Sequence, residues 1–132
     1  MSALALVIPL AKPLPSLANE RLHWRPLAEL KAKQRKRMAL HMRAQGSVFL
    51  REWQVMRGNE ALRLAVTLTR ISPRTLDKHD NLRSAFKATV DQIADEVGLD
   101  DRSPRIDWHY TQERGAPAIR IRLEVLTHEV GR

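Results

Sequence analysis

The chain has 132 residues, with 23 Lys+Arg against 15 Asp+Glu, a formal net charge of +8, and no cysteine. That length suits one domain with a real core, and the lack of cysteine excludes a disulfide scaffold, a thiolate zinc site and a cysteine nucleophile. The balance of 43% apolar and 29% charged residues is that of a globular rather than a disordered chain. No apolar run approaches the roughly 20 residues that cross a bilayer. The apolar opening Met1–Leu10 has no basic n-region of a secretory signal. A soluble cytoplasmic protein with no membrane partner is expected.

The positive charge is unevenly spread. Residues 1–60 carry 11 basic and 4 acidic side chains, a net of +7, whereas residues 61–132 carry 12 and 11, a net of +1. The basic excess is densest in Lys31, Lys33, Arg35, Lys36, Arg37 and Arg43. Asp77, Asp80, Asp91, Asp95, Glu96, Asp100, Asp101 and Asp107 make up 8 of the 15 acids. A basic chain with one acidic stretch fits a polyanionic partner and a site that needs local negative charge.

In chain order, Ala3–Pro9 reads as a short apolar strand ended by the segment Lys12-Pro13-Leu14-Pro15-Ser16. After a loop, Pro26 suits the first turn of a helix running from Leu27 to about Ala44. Its apolar stripe is Leu27, Leu30, Gln34, Met38 and His41 or Met42, and Gln45-Gly46-Ser47 stops it. Val48–Gly58 fits either a helical extension or an irregular crossing. Leu62, Leu64, Val66 and Leu68 alternate with polar or small residues, the period of a half-buried strand over Leu62–Arg70.

Asn81–Val97 carries the clearest helical pattern, with Leu82, Phe86, Val90, Ile93 and Val97 on one face and Gly98 as C-terminal cap. Two alternating runs follow. Ile106, Trp108 and Tyr110 oppose Asp107, His109 and Thr111; after the turn Arg114-Gly115-Ala116-Pro117, Ile119, Ile121, Leu123 and Val125 alternate with charged residues. The pair reads as a β-hairpin. The order β-α-β-α-β-β predicts a single small α+β domain, a mixed sheet covered by helices.

The acids suggest chemistry. Asp77 and Asp80 lie where a loop enters the second helix, and Asp100-Asp101 lie just past its far end. Carboxylates are the ligands Mg²⁺ prefers, and two or three suffice for a site. A helix of about 17 residues spans about 25 Å, so Asp80 and Asp101 meet only if the chain after Gly98 doubles back. The same residues also fit structural roles, Asp80 as an N-cap and Asp100-Asp101 as a polar turn. Lys87 and Asp91 are spaced for an i,i+4 ion pair. His79 reads as a surface loop residue, and Trp24, Trp53 and Trp108 as core or interface residues.

The stretch Leu76–Gln112, LDKHDNLRSAFKATVDQIADEVGLDDRSPRIDWHYTQ, resembles the RusA family of Holliday junction resolvases, especially its phage and prophage branch. The residues that carry the resemblance are Asp77, Asp80-Asn81-Leu82, Lys87, Asp91 and Gly98-Leu99-Asp100-Asp101. Ile8-Pro9, Pro13, Pro15-Ser16 and Asn19 add a similar first strand and proline loop, whereas residues 25–60 contribute nothing to it. The resemblance implies a RusA-like fold and a Mg²⁺-dependent endonuclease acting as a homodimer on four-way DNA junctions. Asp77, Asp80 and Asp101 would be metal-binding carboxylates and Lys87 the basic residue near the scissile phosphate. The chain departs from the family pattern in two places. Known members have two acids one residue apart, where this chain has Asp77 and Asp80 flanking Lys78-His79, and their helical lysine lies about a turn closer to the Asp-Asn pair.

Under this reading Lys31, Lys33, Arg35, Lys36 and Arg37 would contact DNA, with Arg74 and Arg83 nearer the phosphate. Two other readings use the same residues: a non-catalytic DNA-binding accessory protein of recombination, and a nuclease for other branched DNA.

Overall fold

The computed structural model describes residues 3–16, 24–76 and 79–127, with the backbone alone for Trp24, His79 and Asp80. Eight elements follow one another among these residues: β1 (Ala3–Pro9), α1 (Trp24–Gln45), α2 (Ser47–Met56), β2 (Leu62–Ser72), α3 (His79–Ala85), α4 (Lys87–Val97), β3 (Ile106–Arg114) and β4 (Ala118–Thr127). They form an α+β domain around a four-stranded mixed sheet of order β1-β4-β2-β3.

One face of the sheet is apolar. Leu64, Val66 and Leu68 of β2 lie beside Val125, Leu123 and Ile121 of β4, and Leu6 and Ile8 of β1 lie beside Ile121 and Ile119. All of these are buried, together with Met38 and Met42 of α1, Phe49 and Trp53 of α2, and Phe86, Ile93 and Val97 of the later helices. The helices therefore cover this face. The opposite face is polar and laced by ion pairs, Arg63–Asp107 at 2.6 Å, Arg120–Glu113 at 2.7 Å and Arg122–Glu124 at 2.8 Å. Alternation with period two places the two sets on opposite sides.

Three expectations are corrected. The first concerns the hairpin: β3 and β4 do not pair. β4 lies between β1 and β2, antiparallel to both, while β3 pairs only with β2, in parallel. Burial explains the choice. Ile119, Ile121, Leu123 and Val125 are all buried and fill an interior position, whereas β3 buries only Ile106 fully and suits an edge. The connection crosses the end of β2, where the Gly115 N–H donates to the Ser72 carbonyl at 3.1 Å. A Cβ on Gly115 would sit 3.0 Å from Ile71 Cγ2, so the absence of a side chain permits this close crossing.

Second, the helix expected over Asn81–Val97 is two helices. The chain tightens at Phe86, whose N–H donates to the Arg83 carbonyl at 3.1 Å, a bond of the 3₁₀ type. The break keeps Leu82, Phe86, Val90, Ile93 and Val97 all buried. Third, the expected order β-α-β-α-β-β becomes β-α-α-β-α-α-β-β, in part because Val48–Gly58 takes the helical of its two readings, as α2.

Gly98 caps α4 in the left-handed region at φ 71°, and the Leu99 N–H reaches back to the Ala94 carbonyl at 3.1 Å. Trp53, fully buried, donates its indole N–H to the Val97 carbonyl at 2.8 Å and secures the same helix end. Gly98→Ala is expected to cost about 1 kcal/mol, because a side chain disfavours that φ; a lowered urea midpoint with unchanged slope checks it.

Candidate functional site

The sequence raised one geometric condition, that the chain double back after Gly98, and the fold meets it. Asp100 closes a turn: its Oδ1 accepts the Arg102 N–H at 2.8 Å and its carbonyl accepts the Ser103 N–H at 2.9 Å. The Arg102 N–H, ahead of the hydrogen bond with the Asp101 side chain, holds the Asp100 carboxyl below its usual value. The polar-turn role foreseen for Asp100 is thus observed. Trp108 on β3 then donates its indole N–H to the Asp101 carbonyl at 2.9 Å. The turn is pinned to the sheet, and Asp101 comes to lie alongside α4 instead of beyond its end.

Lys87 meets it there. Lys87 Nζ lies 3.2 Å from Asp91 Oδ1 and 3.7 Å from Asp101 Oδ2. The i,i+4 pair expected for Lys87 and Asp91 is present. The hydrogen bond that Lys87 donates to Asp91, followed by the attraction of the two carboxylates, raises the Lys87 ammonium above the usual lysine value of 10.5.

These side chains edge a cleft of about 660 Å³ between α1, α3, α4 and β3. Among the described residues its charged lining is Lys31, Arg83, Lys87 and Arg102 against the single acid Asp101, with Trp108 and Tyr110 as aromatic wall. Arg83 lies over the Tyr110 ring at 5.7 Å. Partial burial raises the Tyr110 phenol, and Arg83 opposes that shift. Among the described residues, four cations surround one carboxylate, a balance that favours an anion.

The fold brings together Lys31, Arg83, Lys87 and Asp101 of the residues selected from sequence. Of the rest, Asp77 lies outside the described residues, as does the side chain of Asp80, whose backbone stands in the first turn of α3. Arg35 turns instead to α4, where it pairs with Asp95 and bonds Gln92 Oε1 at 3.0 Å. Lys33 and Arg37 face the other flank of α1, along the proline segment. Lys36 is exposed, and Arg74 lies in the loop after β2, where its carbonyl accepts from the buried Arg70 at 2.9 Å. Arg102 and Tyr110 were not singled out as site residues. The signals were available, since Arg102 directly follows the paired aspartates and Tyr110 shares the face of Trp108.

A smaller polar recess adjoins the cleft, with Asp91, Asp95, Asp100 and Asp101 around Arg35. Among the described residues, no group of three or more His, Cys, Asp or Glu side chains is disposed to hold a metal ion. The donor that the described residues contribute toward the expected Mg²⁺ is the Asp101 carboxylate, a hard oxygen ligand of the right class. Among the described residues, no helix is long and apolar enough to cross a membrane.

Two outcomes follow from this geometry. A raised lysine contributes stability below the unfolded value and loses it as pH climbs through the folded one. Lys87 Cε, followed by NMR, is therefore expected to titrate above 10.5, and Asp91→Asn should lower that midpoint more than Asp101→Asn does. Trp108→Phe removes the donor to Asp101 at a cost of about 1 kcal/mol, with faster amide exchange concentrated at Arg102 and Ser103. Compared with protein-family models and with curated proteins, the chain matches none.

Proposed function

We propose that this protein is a Mg²⁺-dependent endonuclease for branched DNA, with the four-way junction as its substrate. The observation that carries the proposal is the convergence of Asp101 and Lys87, 3.7 Å apart, in a cleft whose other charged lining residues, among those described, are cations. Such a cleft offers a phosphodiester both counter-charge and an acid beside the phosphorus. The Asp80-Asn81-Leu82 and Gly98-Leu99-Asp100-Asp101 resemblance supplies the reaction class.

Asp101, with Asp80 and Asp77, would hold the ion. When bound, Mg²⁺ supplies charge neutralisation at the phosphate and lowers the pKa of water. The chain's own residues do the rest. Lys31, Arg83 and Arg102 draw the backbone into the cleft, and the Lys87 ammonium donates to a non-bridging phosphate oxygen as charge develops there. Attack by water forms a new P–O bond while one bridging P–O bond breaks, and the leaving oxygen takes a proton. Dimerisation about a two-fold axis would present two clefts to strands related by the junction's own symmetry.

The test is cleavage of a synthetic four-way junction in Mg²⁺ against the same mixture with EDTA, with nicks mapped on all four strands. Paired symmetric nicks that require Mg²⁺ are expected. Asp101→Asn should lower the rate by about 10³-fold or more while junction binding persists or tightens, because a negative charge near the phosphate is lost. Binding should weaken steeply with salt as counterions are released. Mg²⁺-independent binding without any cleavage would instead identify a DNA-binding accessory protein, and preferential cutting of flaps or forks would move the substrate within branched DNA.

A further inference from the structure

A second groove, of about 460 Å³, runs between the segment Leu10–Pro15 and the flank of α1 turned away from the cleft. Leu10, Leu14, Pro13 and Leu30 give it an apolar lining, and among the described residues Lys12, Lys33 and Arg37 are its only charged lining residues. No acid is among them.

Two polar groups on this groove have no partner among the described residues. Burial lowers the Arg37 guanidinium below its usual value, with no carboxylate acting against that shift. Arg35, Arg43, Arg63, Arg120 and Arg122, by contrast, each hold a carboxylate. Gln34 is 3% exposed, and its Oε1 is buried with no hydrogen-bond partner. Buried polar groups are nearly always satisfied, and a partly desolvated cation without a counter-ion is unfavourable. That both lie on one apolar groove points to a missing ligand.

The ligand must supply an anion for Arg37 and its lysine neighbours, an N–H donor for Gln34 Oε1 and an apolar body for the leucines and prolines. A nucleic-acid backbone supplies only the first. A peptide bearing acidic and apolar side chains supplies all three, its main-chain amide serving as the donor. We propose that this groove docks an acidic, apolar segment of a partner protein, at a site separate from the cleft.

The probe is a fluorescein-labelled peptide of Asp-Leu-Glu-Phe repeats, followed by anisotropy at low salt. Comparators are the same peptide with lysine for the acids, the same with serine for Leu and Phe, and a single-stranded oligonucleotide. The acidic apolar peptide should bind at least about tenfold more tightly than either altered peptide. The double variant Lys33→Glu/Arg37→Glu should weaken it by about tenfold or more, while Lys36→Glu, the same charge change on an exposed part of α1, stays within about twofold. Amide shifts in the unaltered protein should concentrate at residues 10–15 and 30–37, a readout independent of how the double variant folds. Equal binding of the serine peptide, equal weakening by Lys36→Glu, shifts elsewhere, or an oligonucleotide that binds more tightly and loses that affinity in the double variant would each overturn the proposal.

Discussion

The turn between α4 and β3 is the constraint on which the site depends. A left-handed glycine at Gly98 lets the chain reverse, the side-chain and main-chain oxygens of Asp100 close the bend, and the Trp108 indole fastens Asp101 to the sheet. Without the reversal, Asp101 would stand a helix length from Lys87. With it, an acid and a base separated by fourteen positions in the chain share one cleft. The parallel pairing of β3 with β2 contributes to the same end, because it puts Trp108 and Tyr110 at the sheet edge beside α3 and α4.

The second organising feature is how the basic helix divides its charge. A helix turns about 100° per residue, so the cations of α1 leave it in different directions. Lys31 goes to the cleft, Arg35 neutralises the acidic recess on α4, and Lys33 and Arg37 flank the apolar groove. A count of charges treats these as one patch. The fold makes of them part of a cation-lined cleft, an interhelical clamp and a rim whose cations meet no carboxylate among the described lining residues of the groove. Net charge therefore says little about placement, which separates the cations lining the cleft from those beside the apolar groove.

Much of the architecture was legible in the sequence. The apolar alternation of β1, β2 and β4 and the stripe on α3 and α4 identified the core face, because burial follows periodicity wherever a segment has one wet side. Strand order was not legible. A short turn with alternating runs on either side implies adjacent strands, yet β4 is apolar enough to take an interior place and β3 is not, a competition that involves the whole sheet. The break at Phe86 was hidden for a similar reason, since the stripe runs through it without interruption. At the cleft, the Lys87–Asp91 pair was legible from i,i+4 spacing, whereas the approach of Asp101, Lys31 and Arg83 to Lys87 depends on the chain reversal and on helix packing. Arg35 was drawn away by Asp95, a partner on another helix that no local pattern reveals.

The central claim is that Asp101 and the start of α3 ligate one divalent ion. Mn²⁺ shares the oxygen preference of Mg²⁺ and broadens NMR signals near it, so titrating the isotope-labelled protein with sub-stoichiometric Mn²⁺ reads the site directly. The account predicts that amides at Asp80 and Asn81 and those at Asp101 and Arg102 broaden together, with one apparent affinity, and recover when excess Mg²⁺ is added. Broadening confined to the recess around Asp91 and Asp95, with the start of α3 untouched, would contradict it.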